Sequence, residues 1–96
     1  ILAGSWSGRS GGGFNIAFTI TDSATVIHGT GTITPPGQAA LNMTVSGTRV
    51  DTTFSLSLIN SQFISAFYTG VLHAGQLSGV LNNSGFSNET LIMTSP

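Results

Sequence analysis

Apolar and polar residues alternate one for one along most of the chain, and this period of two restricts the fold more than any other feature. Phe14, Ile16, Phe18 and Ile20 face one way, while Asn15, Ala17, Thr19 and Thr21 face the other. "VIHGTGTIT" sets Ile27, Gly29, Gly31 and Ile33 against Val26, His28, Thr30 and Thr32. "ALNMTVSG" does the same with Leu41, Met43, Val45 and Gly47, and "TFSLSL" with Phe54, Leu56 and Leu58. "QLSGVLN" adds Leu77, Gly79 and Leu81, and "ETLIMT" adds Leu91 and Met93. Such alternation belongs to antiparallel strands with one face turned to a core. No 3.6-residue stripe with caps accompanies it, so helices are not expected.

Turn-forming clusters part these runs at intervals of about a dozen residues. They are "RSGGG", "DSAT", "PPGQ", "TRVD", "NSQ", "HAGQ" and "NNSGFSN". None is long enough for a helical crossover. Short strands joined only by short links predict an all-β fold, an up-and-down antiparallel barrel of eight strands closed on itself, as one domain over residues 1–96. A β-sandwich is the alternative, although Greek-key order asks for at least one longer connection. Closure also removes the open edges that a chain poor in charge is ill equipped to guard.

Glycine recurs on the inward parity, in "IHGTGTI", "TVSG", "YTGVL" and "LSGVL". Strands of a small barrel coil sharply, and an inward glycine permits the bend while leaving room for a bulky neighbour. Trp6, which shares its parity with Gly4 and Gly8, is expected to plug one end of the barrel. Phe14, Phe18, Phe54 and Tyr68 are expected to fill the rest of the core.

Ionised groups are scarce. Arg9, Arg49, Asp22, Asp51 and Glu89 make up 5% of the chain, where a soluble domain carries about 25%. Two arginines distant in sequence form no basic stripe, which argues against a nucleic-acid partner. Cysteine is absent, so neither disulfides nor thiolate metal sites are available. The polarity comes from Ser, Thr, Gly and Asn, a surface suited to secreted and envelope proteins and to subunits whose faces are covered by neighbours. An extracytoplasmic location follows as an expectation: periplasm, cell surface or medium. The chain starts at Ile1 rather than Met, so any export signal is expected upstream of it.

"GSW" on the first strand resembles the G-x-W start of lipocalins and avidin-like barrels, the calycins. The repeated form apolar-x-Gly-x-apolar is similar to small secreted bacterial β-barrel lipoproteins, and this second likeness covers most of the chain. Together the resemblances imply a barrel topology. "LIMTSP" lacks the basic residue that lipocalins place over the tryptophan, and no segment reads as their helix.

Catalytic and metal-binding patterns are sparse. His28 falls on the outward parity of its strand and His73 in a turn, whereas a zinc site needs three or four ligands with a shaped second shell. "GSWSG" holds Trp where a nucleophile elbow holds Ser. "GRSGGG" lacks the Lys-Ser/Thr and the helix of a phosphate loop. The three acids sit in or near turns, with nothing to pair two of them for glycoside chemistry. The expectation is a non-enzymatic protein with no cofactor and no metal.

One segment breaks the alternation. "FISAFYTGVL", residues 63 to 72, is apolar on both faces. With Ile64, Ala66, Tyr68, Gly70 and Leu72 inward, Phe63, Phe67 and Val71 are left outside. Exposed aromatics in a group commonly mark an interface; another segment of the same chain is the alternative cover. The reading that follows is a structural or docking subunit, outside the cytoplasm, held by protein–protein contact in a larger assembly. A bacterial envelope or membrane complex, photosynthetic ones included, suits it. The barrel itself is not expected to span a membrane, because a spanning barrel turns its apolar face outward. The alternatives are a calycin-like binder of a small apolar ligand and a self-polymerising fibre subunit.

Overall fold

The computed structural model describes residues 2–62 and 64–95. Its strands are β1 (Gly4–Ser10), β2 (Asn15–Ser23), β3 (Val26–Thr34), β4 (Leu41–Val50), β5 (Thr53–Asn60), β6 (Ile64–His73), β7 (Gln76–Asn83) and β8 (Phe86–Thr94). Each strand pairs antiparallel with its sequence neighbours, and β8 returns to β1, closing an eight-stranded up-and-down barrel. The seam runs from Ser7 opposite Thr94 to Ser10 opposite Leu91, and these direct pairings exclude the sandwich. The barrel is about 35 Å long and 24 Å across.

Inward positions of every strand meet in one core. Ile16, Phe18 and Ile20 of β2 lie against Ile27 and Ile33 of β3, Met43 and Val45 of β4, and Phe54, Leu56 and Leu58 of β5. Ala66, Tyr68, Leu77, Leu81, Leu91 and Met93 complete the ring. Phe54 and Tyr68 pack with ring centroids 4.9 Å apart at 56°. The fully buried Tyr68 phenol lies 2.8 Å from the Leu91 carbonyl and 3.2 Å from that of Leu77, which share its proton. Burial pushes this phenol well above its ordinary pKa, so the hydroxyl remains a donor.

Glycine decides whether these rings fit. At Gly31 an added Cβ would collide with the Ala17 carbonyl oxygen and come within 2.7 Å of the Phe18 Cα. The obstacle is backbone, so no rotamer change relieves it. Gly79, opposite Gly70, leaves space that the edge of the Tyr68 ring occupies, 3.0 Å from where its Cβ would stand. Bare backbone therefore lets the strands press together and makes room for the ring beside them.

The two ends are closed differently. At one end Leu2 is fully buried, its carbonyl accepts a 2.8 Å hydrogen bond from Trp6 Nε1, and its amide donates to Asp22 Oδ2 at 2.9 Å. Asp22 also pairs with the Arg49 guanidinium, which reaches on to the Asp51 carbonyl at 2.8 Å. At the other end closure is apolar. Phe14, half-buried rather than sealed in the core, meets Phe86 edge-on at 4.9 Å. Phe86 lies within "NNSGFSN", read above as one turn; the turn is tighter than that. Positive φ at Asn83, Ser84 and Gly85 reverses the chain in a few residues, and a register shift between Leu81 and Asn83 brings Phe86 inward. Beyond the last β6–β7 pair, the Ser65 amide donates to Ser84 Oγ at 2.7 Å and its carbonyl accepts from Asn83 Nδ2 at 2.8 Å. Side chains thus take over where the strand ladder stops.

Gly31→Ala is expected to lower stability by about 3 kcal/mol, as overpacking against fixed backbone does. Gly11→Ala, where nothing stands within 4 Å, should stay within about 0.5 kcal/mol of the parent. Urea denaturation of the two variants beside the parent measures the contrast.

Candidate functional site

The outward face of β6–β8 departs from the mainly Ser/Thr pattern elsewhere, which Val26, Val50 and Ile59 interrupt. Phe67 pairs with Asn82, Thr69 with Val80 and Val71 with Ser78 across β6 and β7. Val80 pairs onward with Thr90 and Ser78 with Ile92 across β7 and β8. Val80 is therefore diagonal to Phe67, Val71 and Ile92, a separation that large side chains bridge. Phe67, Val71 and Ile92 remain 46%, 43% and 46% exposed, and Val80 between them is half-buried. The outward positions of β6 and β7 within the patch, from Ser65 to Val71 and from Ser78 to Asn82, carry no ionised group. Arg9 lies just beyond, paired with Ile92 across the seam.

Phe67 and Val71 are the residues left outside by the glycine-based phase of β6. Phe63 lies outside the described residues. Val80 and Ile92 extend the patch beyond what sequence parity singled out. Each is one apolar residue on the outer face of an ordinary-looking strand, and only the register sets Val80 diagonal to Phe67 and Val71 and Ile92 diagonal to Val80. Of the residues expected in the core, Trp6, Phe18, Phe54 and Tyr68 are buried, and Phe14 is packed against the core from the barrel mouth.

Little reactive chemistry surrounds this face. His28 and His73 are exposed on different strands. Among the described residues, no three His, Asp or Glu side chains gather closely enough to hold a metal ion. Glu89 accepts from the Gly12 amide at 3.2 Å, and Asp22 is engaged by Arg49 and Leu2 at the sealed end. The Arg49 hydrogen bond, then the Leu2 amide, hold the Asp22 carboxyl below its ordinary pKa. These contacts anchor loops and strand ends. Among the described residues no helix is long and apolar enough to cross a membrane.

Three concavities adjoin on the other half of the outer surface, over β1–β5. One of about 660 Å³ is lined by Thr30, Thr32, Asn42, Thr44 and Ile59 among others. A second of about 380 Å³ is lined by Ser5, Ser7, Ala17 and Thr19 together with the same Thr30, Gly31 and Thr32. A third, of about 440 Å³, lies around Gly8 and Arg9. A separate cleft of about 310 Å³ opens at the apolar mouth between Phe14, Pro35, Gln38, Leu41 and Ile64.

No family model matches the chain, and neither the curated proteins nor the solved structures yield a match.

The lowered pKa of Asp22 makes closure of the sealed end sensitive to acid. Its folded-state pKa lies beneath the unfolded value of about 3.9. The stabilisation is thus complete above the unfolded pKa and lost as pH falls through the folded one. The denaturation midpoint is expected to fall on acidification below about pH 4, and Asp22→Asn should remove part of that fall. Urea titrations between neutral and strongly acid pH test both expectations.

Proposed function

We propose that this protein is a non-enzymatic docking subunit, working outside the cytoplasm, that attaches to a larger assembly through the outer face of β6–β8. The observation that carries the reading is the group of Phe67, Val71 and Ile92, each more than two-fifths exposed around Val80. Water-facing apolar side chains in a group are the usual core of a protein contact, with polar residues as its rim. Ser57, Thr69, Ser78, Asn82 and Thr90 surround these four and supply such a rim.

The distribution of side chains supports a barrel bathed in water or covered by protein rather than one crossing lipid. Its interior is apolar and its exterior is largely Ser, Thr and Asn, the reverse of a spanning barrel. The scarcity of charge supports the extracytoplasmic setting. Burial of one face by a neighbour also lowers the need for surface charge. An envelope or membrane complex, photosynthetic ones included, fits these properties.

The apolar mouth favours a second reading, binding of a small apolar molecule. Its cleft of about 310 Å³ falls at the lower end of ligand-pocket sizes. It is formed by different residues from the docking face, so a change at Phe67 leaves that activity intact.

The test is isolation of the protein with its native assembly, followed by substitution. Phe67→Asp is expected to keep the barrel folded, because the side chain points outward, and to weaken attachment by about 30-fold or more, the cost of losing a central anchor. Retention of the variant in the assembly at parental levels would overturn the reading.

A further inference from the structure

We infer that the apolar mouth of the barrel binds a free carboxylic acid with a short acyl chain, the chain lying in the cleft of Phe14, Pro35, Leu41 and Ile64 and the carboxylate paired with the Arg9 guanidinium. The inference rests on the reading of this cleft as a site for a small apolar molecule and names the chemical class of that molecule.

A tight turn builds one wall of the cleft. The Gln38 amide donates to the Pro35 carbonyl at 3.1 Å, and Gly37 takes a positive φ of 69°, the conformation that glycine supplies at the third position of such a turn. Pro35 is buried at the start of the turn, while Pro36 and Gln38 are exposed. The other walls come from strand ends: Phe14 precedes β2, Leu41 opens β4 and Ile64 opens β6. Gln38 carries the one polar side chain of the five that line this space of about 310 Å³. Ile33, the inward residue paired with Leu41, is fully buried. A guest therefore lies across the mouth and does not enter the core, and a cleft at the small end of ligand-pocket sizes suits a short chain.

The charge beside the cleft selects the head group. Arg9 reaches the β1–β2 turn: its Nη2 lies 3.5 Å and its Nε 3.9 Å from where a Cβ on Gly13 would stand, and Pro36 Cγ lies 3.4 Å from the same point. The guanidinium and the Pro36 ring thus meet at one spot, next in sequence to Phe14 on one side and to Pro35 on the other. Among the described residues Arg9 makes no ion pair and its side chain no hydrogen bond, whereas Arg49 is engaged by the Asp22 carboxylate and the Asp51 carbonyl. An exposed guanidinium presents donors in a plane that matches a carboxylate. Glu89 is the acid at this end of the barrel. It is held by the Gly12 amide at 3.2 Å and does not line the cleft.

Both features are needed to define the guest. A wholly apolar molecule fills the cleft and leaves the cation unpaired, while a small anion without a chain gains nothing from the four apolar side chains. A cationic amphiphile meets like charge at the rim. Pairing between exposed charges is worth only a few-fold in affinity and weakens with salt. The chain therefore supplies most of the binding, and the head group decides among guests of equal apolar length.

Titration with octanoate, octanol and octylammonium, followed through the methyl NMR signals of Leu41 and Ile64, tests this directly. Octanoate is expected to shift both signals with a dissociation constant of about 1 mM and to bind about 5-fold more tightly than octanol, with octylammonium the weakest. Arg9→Gln, at an exposed position, should abolish the difference between octanoate and octanol. Gln38→Glu, on the exposed turn, should weaken octanoate relative to octanol by placing a carboxylate at the rim, and it serves if Arg9→Gln fails to fold. Raising the salt from about 20 mM to about 0.5 M should narrow the gap between the two probes. Equal binding of octanoate and octanol, or a ratio that Arg9→Gln leaves unchanged, would overturn the inference while the apolar-ligand reading stands. If none of the three probes shifts the Leu41 and Ile64 signals, both fall.

Discussion

Eight strands enclose an interior of nearly fixed width, just enough for side chains to fill it. The packing of the core follows from fitting phenyl, phenol and indole groups into that width. Trp6, Phe18, Phe54 and Tyr68 are too large to face equally large partners at every level. Inward glycines resolve the conflict: Gly31 lies opposite Phe18, and Gly70 and Gly79 lie opposite each other beside Tyr68. Large and bare positions face each other at Phe18–Gly31 and Phe54–Gly70, which gives those rings their space.

The same arrangement explains the ends. A barrel of this length cannot fill its mouths from strand interiors alone, so other parts of the chain cover them. One mouth is drawn shut by Leu2, Trp6 and the Asp22–Arg49 pair, which is held by directed hydrogen bonds. The other is covered by Phe14, Phe86, Leu41 and Ile64 through apolar contact. Directed bonds, from the Ser65 amide to Ser84 Oγ and from Asn83 Nδ2 to the Ser65 carbonyl, secure the strand ends there, beneath the longest connection, between β3 and β4.

How much of this can be read without coordinates depends on the range of the interaction. Alternation by two is local, so the inward set of β2, β3, β4 and β5, the closure of the barrel and the outward placement of Phe67 and Val71 were all legible. The hidden features depend on register between distant segments. Asp22 and Arg49 are 27 residues apart, and nothing in "TITDS" or "GTRVD" announces their pairing. Val80 and Ile92 look unremarkable in their own strands and become a patch only when β6, β7 and β8 are aligned. Phe86 was hidden for a different reason. Composition marks "NNSGFSN" as a loop, whereas left-handed backbone at three successive positions and a bulge confine the turn and return the aromatic to the interior.

The barrel supplies its own control for the exposed apolar face of β6–β8. A fold of this kind needs apolar residues inward and asks of outward positions only that they suit a strand. β2 and β3 show what satisfies that demand: Ala17, Thr19, Thr21, His28, Thr30 and Thr32 face outward, with one large apolar residue, Val26, at a strand end. Equivalent positions on β6–β8 carry Phe67, Val71 and Ile92, each diagonal to Val80. Packing does not require them, since their side chains point away from the core. Strand propensity does not require them either, because threonine serves as well at exposed strand sites. An exposed apolar group on a protein with five ionised side chains carries a solubility cost. Contact with another surface is the physical circumstance that removes it.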